Sequence, residues 1–153
     1  MSFGLCTGAM HGARGINAEE RCRIRIVLPP LSGAVLLALL VLSGAMAAAD
    51  LAHPFWQTQA TLAGGGAGEL IALLPAWAAQ RRGRFPPWLP IAGLVALAAA
   101  LVVTWRAARV FIDSADYQPL AGKIWFFGYH ALAALIVITI ALAVTAWQHP
   151  RGR

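Results

Sequence analysis

The polar side chains within or beside the long apolar runs include His53, Thr61, Glu69, His130 and Thr139. Their types define the chemistry to consider. Glu69 lies in TLAGGGAGELIALLPAW, residues 61–77. A carboxyl group in such a run can bind a proton or a cation, or it can join helices through hydrogen bonds. Left unpaired as a carboxylate at the centre of a membrane, it costs about 2.5–3.5 kcal/mol even on the lenient insertion scale. Gly65 and Gly66 precede it at i−4 and i−3, and Gly64 with Gly68 forms a GxxxG step for close helix contact. Pro75 lacks the N–H that would bond the Ile71 carbonyl, which leaves another polar group nearby. These features describe a packed or slightly hydrated notch. Thr139 is expected at the same depth on the last helix. A neutral Glu69 hydrogen-bonded to Thr139 is the simplest reading, and proton coupling is the functional one.

The histidines point to different chemistry. His130 follows Tyr129, with Thr61 expected at a similar depth on another helix, and His53 stands in ADLAHPFW just outside that level. Imidazole is a common ligand of haem iron and copper, so His130 with His53 is the candidate pair for a haem, copper or quinone-associated redox site. No motif calls for a cofactor, and the plainer expectation is a hydrogen-bonded His130 and an interfacial His53. The helical rise separates Glu69 and His130 by about 12 Å in depth, which excludes direct contact between them.

The elements that must position these groups follow from composition. The chain has 153 residues, 59% hydrophobic and only 12% charged, with a mean hydropathy of +0.68. A soluble domain carries about 25% charged residues, so the balance is that of an integral membrane protein. Four apolar stretches, about 31–49, 55–79, 88–105 and 124–147, approach the roughly 20 residues that cross a bilayer as a helix. No alternating pattern suggests a barrel. The expected fold is an all-α integral membrane protein, a bundle of four transmembrane helices, behind a basic tail over residues 1–30.

All six tryptophans fall at the ends of the last three stretches: Trp56 and Trp77, Trp88 and Trp105, Trp125 and Trp147. Indoles favour the headgroup level, so each pair is expected to anchor a helix at its two interfaces. Glu69 then lies about 20 Å from the Trp56 level and about 12 Å from the Trp77 level. Nine of the twelve basic residues, namely Arg14, Arg21, Arg23, Arg25, Arg81, Arg82, Arg84, Arg151 and Arg153, share one side. The positive-inside rule puts that side, with both termini, in the cytoplasm of a bacterial inner membrane. The other side mixes Arg106, Arg109 and Lys123 with Asp50, Asp113 and Asp116, and Arg109 is expected to pair with Asp113 at i, i+4 as the third helix extends to Ile112.

The first stretch differs. A basic flank, an apolar core and an AMAAAD exit give it signal-peptide grammar. Cleavage would leave three helices. Its long basic flank favours retention, with Pro29 and Pro30 separating the tail from the span.

The net charge of +6 and pI near 10.7 do not indicate nucleic acid, because the arginines sit in short clusters between apolar runs. Cys6 and Cys22 show no metal-binding spacing and are expected as free thiols. No phosphate loop, HExxH or GxSxG occurs. The leading expectation is therefore a non-catalytic accessory, assembly or anchor subunit, bound to lipid and to a membrane-protein partner or its own copies. The alternatives are the histidine redox module and a small proton-coupled transporter centred on Glu69.

Overall fold

The computed structural model describes residues 18–53, 55–114 and 116–149. Cys6, Arg14, Arg151 and Arg153 lie outside them. The elements are α1 (Ala18–Leu42), the single turn α2 (Ala45–Ala48), α3 (Gln57–Arg82), α4 (Trp88–Asp113) and α5 (Pro119–Gln148). The four long helices are each long and apolar enough to cross a membrane, making an all-helical membrane bundle. At 1.5 Å per residue, the 26 residues of α3 reach about 39 Å, enough for a hydrocarbon core of about 30 Å. One end of the bundle carries Arg25, Arg81 and Arg82 and is called the basic end. The opposite end gathers Trp56, Trp125 and Phe111 and is called the aromatic end.

The first helix departs from its expected bounds of 31–49. It begins at Ala18, runs through Pro29 and Pro30, and stops at Leu42. Two prolines remove two helical N–H donors, which ordinarily breaks a helix. Here both rings are buried against the bundle, and Ser32 Oγ donates to the Pro29 carbonyl at 2.8 Å. Packing outweighs the local penalty. The stop comes instead at Gly44, whose φ of 74° belongs to the left-handed region that glycine enters freely. Gly83, with φ 60°, ends α3 in the same way.

The long α5 is the hub. Helices α1, α3 and α4 each pack against it, α1 also meets α3, and α4 touches no other long helix. Glycines set these approaches. A Cβ at Gly64 would collide with the His130 carbonyl oxygen, and one at Gly68 would stand 2.7 Å from the Ala134 oxygen. The Gly64–Gly68 step therefore brings α3 onto the α5 backbone, as its sequence spacing implies. From α1, Gly33 meets Val137 equally closely, with its Cβ position 2.6 Å from that carbonyl oxygen. Small residues serve this purpose in membranes because dispersion between backbones in close contact, not water exclusion, holds the helices together.

The third helix continues past Trp105 to Asp113, but the expected Arg109–Asp113 pair does not form. Arg109 reaches Asp50 in the α2–α3 connection, with N···O at 3.1 Å. The connection folds back over the end of α4 and brings a carboxylate from another element to the guanidinium. That contact ties α4 to the chain segment following α2.

Candidate functional site

The polar groups of the bundle fall into three places. At the aromatic end, Thr61 on α3 and Tyr129 on α5 share a hydrogen bond, Oγ1 to Oη, at 2.8 Å. Tyr129 is fully buried, and Trp56 stands on it edge-to-face with ring centroids 5.4 Å apart. Trp56 also meets Trp125 at 5.5 Å and Phe126 at 5.3 Å, so one indole organises three rings of α5. Trp125 is turned inward, only 6% exposed, and its Nε1–H donates to the Leu51 carbonyl at 2.8 Å. It was expected as an interface anchor. In the fold it links α5 to the α2–α3 connection, whereas Trp77, Trp88, Trp105 and Trp147 remain 41–81% exposed.

The two histidines sit around this cluster with separate neighbours. His53 is exposed, lies edge-on to Trp125 at 6.3 Å, and accepts the Phe55 amide N–H on Nδ1 at 3.2 Å. His130 is half-buried against Phe126 at 4.6 Å, and its Nδ1 lies 2.9 Å from the Phe126 carbonyl oxygen one turn back. That position suits an Nδ1–H donor and leaves Nε2 as an acceptor. The two imidazoles make no ring contact with each other. Among the described residues, no group of three or more His, Cys, Asp or Glu side chains is placed to hold a metal.

The second place is midway along α3. Glu69 is half-buried and forms no hydrogen bond or ion pair among the described residues. The expected bond to Thr139 is absent. Thr139 is 7% exposed, turned toward α4, and its Oγ1 lies 3.2 Å from where a Cβ on Gly93 would stand. Its hydroxyl finds no partner among the described residues. The two residues were expected to meet because they share a depth, but they lie on different sides of the hub. Gly65, one turn before Glu69, faces Leu37 of α1, while a Cβ at Gly66 would meet nothing within 4 Å. Glu69 thus lies near the α1–α3 seam beside an open surface. Thr104 on α4 is a further buried, unpartnered hydroxyl, and it faces Gly128 of α5.

The third place is the basic end. Arg81 lies over the Trp77 ring at 3.9 Å, a cation–π contact. His149, just past α5, carries a buried Nε2 with no partner among the described residues. Burial, with the Arg25 cation nearby, holds its imidazole below the usual histidine range. Cys22, on α1, is a free thiol.

Sequence reasoning placed Thr61 and Tyr129 at one level but did not identify their bond, and it missed the inward role of Trp125. A signal existed: Trp125, Tyr129, Leu132 and Ile136 recur at i, i+4, i+7 and i+11, the spacing of one helix face. Comparison of the chain with protein-family models, curated proteins and solved structures finds no match.

Proposed function

We propose that the chain is a non-catalytic subunit of a larger assembly in a bacterial inner membrane, with its basic end and both termini in the cytoplasm. The observation that carries this reading is the seat of α4. It packs against one long helix, and one of its flanks presents exposed Ala92, Ala96 and Ala99 at i, i+4 and i+7. Such a row lets another backbone approach closely, as the glycines inside this bundle do. The occupant we favour is a transmembrane helix of a different protein. The cytoplasmic basic end rests on Arg81 and Arg82 in the last turn of α3 and on Arg84 just after it. Retention of α1 as a fourth span is supported by its embedded contacts, Gly33 on Val137 and Leu37 on Gly65.

The test is site-specific photo-crosslinking in native membranes. A photoreactive residue at Ala96 is expected to give one discrete heterologous adduct, while the same group at exposed Val35 gives none. An adduct only with a second copy would replace the partner by a homo-oligomer. Absence of any Ala96 adduct, together with no co-purifying protein in mild detergent, would sink the proposal.

A second reading has one observation in its favour: Glu69, an intramembrane carboxyl group without a partner among the described residues, is the default candidate for proton coupling. Loss of a pH-gradient-driven flux in Glu69→Gln vesicles would support it, and unchanged flux would remove it. Haem or copper on His53 and His130 has weaker support, since each ring has its own aromatic neighbour. An absorbance spectrum with a Soret band, or copper in metal analysis, would revive it.

A further inference from the structure

We propose that the cavity at the aromatic end binds the headgroup of one anionic phospholipid. The cavity has a volume of about 490 Å³ and lies between the α2–α3 connection, the end of α4 and the start of α5. That size falls among small-ligand sites, which are mostly apolar with a few placed polar groups. Its walls include Trp56, Phe111 and Phe127, with His53 and Lys123 as the two polar side chains besides the indoles.

The polar chemistry of this lining is one-sided. His53 Nδ1 already accepts the Phe55 N–H, so the neutral ring carries its proton on Nε2 and offers a donor. Lys123 offers up to three donors and forms no ion pair or hydrogen bond among the described residues. Trp125 spends its only N–H on the Leu51 carbonyl. The lining side chains therefore present donors and one positive charge, with no free acceptor. An occupant must bring acceptor oxygens and negative charge to the polar side, and apolar surface to the rings.

A phosphodiester with acyl chains meets both demands. Charge-assisted bonds from an ammonium to phosphate are stronger than bonds to a neutral carbonyl, which disfavours a quinone as the occupant. A zwitterionic lipid would bring its own ammonium toward Lys123, which favours an anionic headgroup. Depth agrees, because tryptophan-rich helix ends sit at the headgroup level of a bilayer. Phe127 is 66% exposed beside the cavity, where an acyl chain would run.

The test is native mass spectrometry of the delipidated, detergent-solubilised full chain, titrated with dioleoylphosphatidylglycerol or dioleoylphosphatidylcholine. One phosphatidylglycerol is expected to be retained, at least about tenfold more tightly than phosphatidylcholine, the scale of one charge-assisted hydrogen bond. Lys123→Gln should bring the two lipids to within about twofold of each other, while Arg106→Gln, outside the cavity lining, keeps the preference. Both substitutions are at exposed positions, and circular dichroism checks the fold. Equal retention of the two lipids means an unspecific lipid shell and overturns the proposal. So does a phosphatidylglycerol preference that survives Lys123→Gln. Saturable binding of inorganic phosphate alone, or displacement of the lipid by a quinone in both wild type and Lys123→Gln, would assign the cavity to another ligand.

Discussion

Alanine substitutions at Gly66 and Gly68, two residues apart on one helix, should move stability in opposite directions. At Gly68 a Cβ would lie 2.7 Å from the Ala134 oxygen and 2.9 Å from its Cα. Ordinary contact begins at 3.4 Å, so α3 must retreat by about 0.7 Å to admit the methyl group. The obstacle is the backbone of α5, which cannot rotate aside as a side chain would. A gap of that size forfeits roughly a quarter to a half of the dispersion energy of each contact it opens. Overpacking of this kind costs about 1–3 kcal/mol, offset by about 1 kcal/mol from the better helix propensity of alanine. At Gly66 nothing lies within 4 Å, so only the propensity gain operates. Gly68→Ala should therefore lose up to about 2 kcal/mol and Gly66→Ala gain up to about 1 kcal/mol. Reversible unfolding in mixed micelles, titrated with sodium dodecyl sulfate and followed by circular dichroism, measures both. Midpoints that shift in the same direction by the same amount would refute the close approach of α3 to α5.

Other outcomes follow from single contacts. In a double-mutant cycle of Thr61→Val and Tyr129→Phe, the same unfolding assay should give a coupling of about 0.6 kcal/mol and at most about 1.7, the range for hydrogen bonds between membrane helices. Thr104→Val and Thr139→Val remove buried hydroxyls without partners among the described residues and should leave stability unchanged or raised. By contrast, Thr145→Val breaks a 2.7 Å bond to the Ala141 carbonyl and should cost about 1 kcal/mol. His149 is held below its ordinary value of 6.5, so the folded chain takes up this proton at lower pH than the unfolded chain does. Its contribution is complete above about pH 6.5 and declines as the pH falls below that value. Thermal midpoints measured across this range should show the slope in wild type and a flatter one in His149→Gln.

Much of the architecture was legible in the sequence because hydropathy is a local property. The last three apolar stretches became helices close to their expected positions, and α4 ran on to Asp113 as the Arg106–Ile112 segment suggested. The first helix departs from its apolar stretch because the local helix-breaking effect of Pro29 and Pro30 yields to tertiary packing, which buries both inside a continuous helix. The candidate site was harder to read. Expected pairs Glu69–Thr139 and Arg109–Asp113 gave way to a Glu69 with no partner among the described residues, a Thr139 turned toward α4, and an Arg109–Asp50 contact.

The sequence by itself determined the class of object, the position of each polar residue along its helix and the glycine step that brings α3 onto α5. Each follows from composition, the fixed helical rise or the absence of a side chain. Only the tertiary structure decided which residues meet. Successive residues turn by about 100° around a helix, so two groups at one depth can still face opposite ways. In a soluble protein an amphipathic stripe would reveal that rotation, because one face must meet water. Here lipid and protein interior are both apolar, and the rotation of each helix is set by contacts such as Gly64 on His130 and Gly33 on Val137. Those contacts placed Tyr129 against Thr61 and left Glu69 beside the α1–α3 seam.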